Sequence, residues 1–190
     1  MEDHRIKSAR EIAMEKIAKM ADLTPEQIKL QKDSEYRPRG EAIARRYLQG
    51  AVRGTDFKSE LGRYPTEEAQ IVTRAIVLTL CESINIEDID KSKKALEGIK
   101  TIVGIKGGLE GTEHELEIIA AQFTRDVSKE YEIGEKAESK RLKTLGISGS
   151  AVKPNVKVTE DWQIRIGNIR QNYAVKVDQL KKVITSYIES

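Results

Sequence analysis

The chain reads as all-α: an N-terminal helical domain over residues 1–106, then a long, coiled-coil-like antiparallel helical hairpin over residues 107–190. Three observations predict it. Charged residues make up 34 % of the chain and aromatics 5 %, with only four prolines, a balance that favours helices. Apolar residues recur in steps of three and four over long windows, which places them on one helical face. Helix-starting signatures, T-x-x-Q and T-x-x-E, stand ahead of two of those windows.

The first helix is expected over residues 3–21, where Ile6, Ala9, Ala13, Ile17 and Met20 form one stripe. In "LTPEQI", Thr24 supplies a cap, Pro25 suits the first helical turn and Gln27 completes a capping box. Pro38 disfavours helical geometry at Arg37, so a break is expected in "EYRPRG", with a new helix over 38–49. The Gly- and Pro-containing stretch "VRGTDFKSELGRYP" reads as irregular, with one helical turn at Phe57–Leu61. Residues 65–84 are apolar nearly all round, the mark of a buried central helix. Another helix follows, with Asn85 as its expected cap. The glycines at 104, 107, 108 and 111 set the domain boundary.

In the second half, Thr112 and Glu115 match a capping box ahead of a helix expected over 113–145, with Gly134 as a point of bending. A Gly-, Ser- and Pro-rich loop occupies 146–158, and Thr159 caps the last helix. That helix carries an eight-position stripe: Trp162, Ile166, Ile169, Tyr173, Val177, Leu180, Ile184 and Ile188. Trp162, Tyr173 and Ile184 lie eleven apart, about 3.67 residues per turn, so the stripe stays on one face of a nearly straight helix. Such a stripe is a helix-packing face or an oligomer interface, so a homo-oligomer or a helical protein partner is expected.

Chemistry is sparse. The two histidines, His4 and His114, have no partners at metal spacing, and no C-x-x-C occurs, so no metal site, cofactor or catalytic set is expected. Cys81 lies in the most apolar helix and reads as a buried, inert thiol. A lone cysteine excludes an intramolecular disulfide framework. The N-terminus has no apolar core of a secretory signal, and no apolar run is long enough to span a bilayer; a cytoplasmic location without membrane association is expected. High Lys and Glu with four asparagines and eight glutamines is compatible with a thermophilic source. Arg74, in the apolar helix, calls for a carboxylate or an edge position. Ser148, Ser150, Ala151 and Val152 form a candidate interaction tip.

The functional lead is the stretch from Tyr36 to Tyr64. Its residues 37–63 hold seven basic groups against three acidic ones, a local excess of +4 in a chain of net charge +2. Arg37, Arg39, Arg46, Arg53, Lys58 and Arg63 form a candidate phosphate or nucleic-acid patch. Interleaved aromatics (Tyr36, Tyr47, Phe57, Tyr64) add the capacity to stack. The first expectation is a non-enzymatic structural or protein-interaction protein that self-associates. The alternative is nucleic-acid or other phosphate-ligand binding through 37–63.

Overall fold

The computed structural model describes residues 8, 10, 24–104, 109, 111–149 and 152–189, with side chains to 186. Apart from Ser8 and Arg10, the helix expected over 3–21 lies outside the described residues. Among the described residues there are six α-helices, two short 3-10 turns and no strand.

Helix α1 (Pro25–Leu48) starts as its sequence dictates. The Gln27 N–H donates to the Thr24 hydroxyl at 3.3 Å, and the Thr24 N–H donates to Gln27 Oε1 at 2.8 Å. The expected break at Pro38 does not occur; α1 runs through it. A proline in mid-helix removes one hydrogen bond and costs about 3 kcal/mol. Here Pro38 and Ser34 are both exposed, so the orphaned Ser34 carbonyl faces water. Tertiary contacts hold both flanks. Lys32 reaches Glu67 and Glu68 at 2.6 and 3.0 Å. Beyond the proline, Ile43, Ala44 and Tyr47 enter the core. At Gly40 a Cβ would lie 2.5 Å from the Val72 carbonyl oxygen and 2.6 Å from Ala75 Cβ, so only glycine lets the helices approach this closely.

A 3-10 turn at Gly54–Asp56 and the short α2 (Phe57–Leu61) follow, matching the single turn expected there. Helix α3 (Thr66–Glu82) is the centre of the molecule, with Val72, Ile76, Val77 and Leu80 fully buried. Helix α4 (Ile89–Val103) is capped by Asp88, not by Asn85. The Asp88 carboxylate accepts the Lys91 N–H at 3.0 Å. Asn85 stands three residues earlier and accepts from the Glu87 and Asp88 N–H groups, turning the chain into the cap.

Helix α5 (Thr112–Thr144) also departs from expectation at its start. Thr112 is its first residue, buried, with its hydroxyl donating to the Leu109 carbonyl at 2.7 Å. The Thr112–Glu115 capping box is therefore not formed, and Gly111 stands at the cap. The helix passes Gly134 unbroken, because this glycine is a seat: a Cβ there would lie 2.6 Å from Val156 Cγ1. Val156, buried in a 3-10 turn (Val156–Val158), packs with Trp162 and Ile166 against Val127 and Tyr131 in a small second core.

Helix α6 (Glu160–Glu189) begins where the Trp162 N–H donates to the Thr159 hydroxyl, as expected. Its stripe is buried within the chain at Trp162, Ile166, Tyr173, Val177, Leu180 and Ile184, with Ile169 half-buried; the Ile188 side chain lies outside the described residues. The upper stripe meets α5. Tyr131 is edge-on to Trp162, the Arg165 guanidinium bonds Glu130 at 3.2 Å, and the Tyr173 hydroxyl donates to Asp126 at 2.7 Å. The lower stripe joins residues of α1, α3, α4 and α5 in one continuous core. Cys81 of α3 donates its thiol to the Lys181 carbonyl at 3.7 Å.

Candidate functional site

The arginine stretch lies mostly on the outer face of α1 and the turn after it, where burial of Ile43, Ala44 and Tyr47 forces the guanidiniums outward. Tyr47 is fixed from below: its hydroxyl donates to the Lys94 carbonyl at 3.0 Å, and the ring packs on Phe57. Burial pushes the Tyr47 phenol above its ordinary range. The charges outside are extensively paired. Arg37 and Arg45 both reach Glu41, at 3.5 and 2.7 Å. Arg39 bonds Glu35 at 3.1 Å and lies over the Tyr36 ring. Arg53 grips Asp56 through its backbone N–H and guanidinium, which holds that carboxyl below the usual range. Arg63 bonds Glu60 at 2.9 Å. Arg39 and Arg53, both in the candidate patch, thus have partners three or four residues away. Arg46 and Lys58 are exposed and have no carboxylate in ion-pair range among the described residues.

A second feature lies beside the first half of α1. An open groove of about 1320 Å³ runs between α1, α2 and the start of α3. Half-buried Ile28, Leu61, Tyr64, Ala69 and Ile71 line it, and Leu30 stands 71 % exposed at its edge. Lys32 crosses it toward Glu67 and Glu68; these bonds push the Lys32 ammonium up and hold the Glu68 carboxyl below its ordinary value. Arg74 lies on the exposed side of α3 and lines the groove with Glu26, Lys29 and Asp33.

Residues with chemical potential are dispersed. Cys81 is 3 % exposed, and burial pushes its thiol up to about 11, away from nucleophilic chemistry. His114 is exposed on the first turn of α5, 4.0 Å from Glu117. Among the described residues no group of three or more His, Cys, Asp or Glu side chains has the arrangement of a metal site. Of the glycine cluster at 104–111, Gly104 closes α4 and Gly111 opens α5; residues 105–108 and 110 lie outside the described residues. Ser148 and Val152 of the candidate tip are exposed, whereas Ser150 and Ala151 lie outside the described residues. Among the described residues no helix is long and apolar enough to cross a membrane. Comparison with protein-family models, with curated proteins and with solved structures found no match.

Proposed function

We propose that this chain is a non-enzymatic, all-helical interaction protein that self-associates, with α5 and α6 acting as a coiled-coil-like antiparallel hairpin. The observation that carries the reading is the groove beside α1. Its volume, about 1320 Å³, exceeds that of ordinary small-molecule pockets, and it is an open trough. A trough with a half-buried apolar floor and a rim of both charge signs suits an amphipathic helix laid into it. The occupant proposed is a helix of a second copy of this chain. The stripe on α6 is not the surface for that contact, because the chain's own helices cover it.

The test is the concentration dependence of molar mass by light scattering, for the full chain and for an Ile28→Asp/Ile71→Asp variant. A dimer or larger species that dissociates in the variant, with helical content kept, supports the reading. A monomer at every concentration defeats self-association. A form lacking residues 1–23 then separates a groove filled by the chain's own N-terminal segment, which would newly dimerise, from an empty one.

The alternative, phosphate or nucleic-acid binding through 37–63, draws on Arg46 and Lys58 and on the exposure of the paired guanidiniums, Arg53 being 81 % exposed and Arg63 67 %. Binding of labelled DNA or RNA that weakens from about 50 to about 200 mM salt, and is lost on reversing Arg46 and Arg53, would favour it.

A further inference from the structure

The far end of the long helices carries a second cationic surface, built differently from the first. Val156 seats on Gly134, and past that contact α5 continues to Thr144. Those ten residues extend it by about 15 Å. Among the described residues the next helix, α6, begins only at Glu160, after Val156, and the chain returns to it from the end of the overhang through a loop. The helix ends in a Schellman turn. Gly146, at φ +78°, donates its N–H to the Lys143 carbonyl at 3.0 Å, and the Ile147 N–H donates to the Leu142 carbonyl at 2.9 Å. This turn fixes Leu145 and Ile147 on the outside, 60 % and 48 % exposed. Val152, whose N–H donates to the Gly149 carbonyl, is 38 % exposed on the returning arm of the loop.

Charge surrounds these aliphatics. Residues 135–158 hold six basic groups and two acidic ones, a local excess of +4. Lys136, Lys140 and Lys143 follow at i, i+4 and i+7, on one face of the overhang. With Ser139 and Glu135 they line a shallow depression of about 470 Å³. Lys153 and Lys157 lie on the return. All five lysines are exposed and have no carboxylate in ion-pair range among the described residues; Arg141, bonded to Glu138 at 2.6 Å, is the paired exception.

We propose that this tip docks on an anionic lipid surface, with Leu145, Ile147 and Val152 entering the headgroup region and the lysines meeting lipid phosphates and carboxylates. Three features select this partner over a nucleic acid. No aromatic residue occurs in 135–158 to stack on bases. Exposed aliphatics gain nothing from a phosphodiester backbone but gain by leaving water at an interface. Flexible lysines suit a diffuse anionic sheet, whereas fixed bidentate recognition of single phosphates favours arginine. The absence of interfacial Trp or Tyr in this segment makes the attachment shallow, reversible and salt-sensitive. This is contact with one leaflet and needs no spanning helix.

The experiment is co-sedimentation of the full chain with vesicles of phosphatidylcholine alone or with one third phosphatidylserine, at low and raised salt. Binding is expected to the mixed vesicles at low salt, to fall as salt rises, and to resist competition by inorganic phosphate. Each lysine near an anionic surface is worth about fivefold in affinity, so Lys136→Gln/Lys140→Gln/Lys143→Gln should lose at least about tenfold. Leu145→Ser/Ile147→Ser should also lose affinity with only a small change in melting temperature, since both residues are about half exposed and outside the core clusters. Three outcomes overturn the proposal: a chain that stays in solution with mixed vesicles at low salt; a Leu145→Ser/Ile147→Ser variant that binds as its parent does, which would leave only generic attraction to polyanions; or loss of binding on reversing Arg46 and Arg53 with the tip variants unaffected. None of these bears on the groove beside α1, so the two proposals fail separately.

Discussion

Residues 37–63 and residues 135–158 carry the same formal charge, +4, in different surroundings. In the first, five of seven cations have a carboxylate three or four residues away, and the helix beneath them is packed into the centre of the molecule. In the second, five of six cations have no carboxylate in ion-pair range among the described residues, and four of the six stand on the overhang of α5. A count of charges along the chain ranks the two regions equally. What separates them is how many of the cations meet a carboxylate within ion-pair range, and the presence of a core below. Exposed pairs of this kind contribute little to stability, typically under about 1 kcal/mol each, but each one reduces the field that a ligand meets.

The largest effect should come from attacking the foundation of the first region. Gly40→Val forces a side chain against the Val72 carbonyl and Ala75. It should lower stability by about 3 kcal/mol, roughly 10 °C in Tm, read by thermal denaturation. An unchanged melt would mean that α1 is not anchored through Gly40. Val156→Ala empties the seat at the base of the overhang. We expect a global loss of about 1–2 kcal/mol and faster amide exchange across 135–158, with α3 still protected. Equal loosening of α3 would remove the distinction between the two regions.

Tyr173 ties α6 to α5 at the edge of the main core. Burial first, and then its bond to Asp126, push its hydroxyl from about 10 up to about 12. The folded state therefore favours the neutral phenol. The stability it confers is intact below about pH 10 and is lost as pH rises toward about 12. Tyr173→Phe should flatten this alkaline decline in a pH series of melts. The smallest effects should come from single surface charges: Arg46→Gln and Lys140→Gln are expected within about 0.5 kcal/mol of the parent. A larger loss at Lys140 would reveal a partner for it and close the gap between the two patches.

Several elements are legible in the amino-acid sequence alone. The Thr24–Gln27 capping box, the turn at Phe57–Leu61, the buried apolar helix around Val77 and the cap at Thr159 all follow from residues within four positions of one another. The stripe from Trp162 to Ile184 is legible as an apolar face, but not as a face covered by the same chain. The arginine stretch can be counted, yet the pairing of Glu35 with Arg39 across Pro38 requires a continuous helix that the proline argues against. The groove beside α1 cannot be read from the sequence, because its floor is assembled from Ile28, Leu61, Tyr64 and Ile71, which share no periodicity.

The sequence by itself determined the all-helical class, the caps made by local hydrogen bonds and the apolar faces, because propensity, capping and periodicity act over one or two turns. The tertiary structure alone decided that α1 continues through Pro38, that Gly134 is a seat for Val156, and that the stripe of α6 turns inward. Each of those outcomes depends on a surface contributed by residues distant in the chain, whose packing outweighs a local preference of a few kcal/mol.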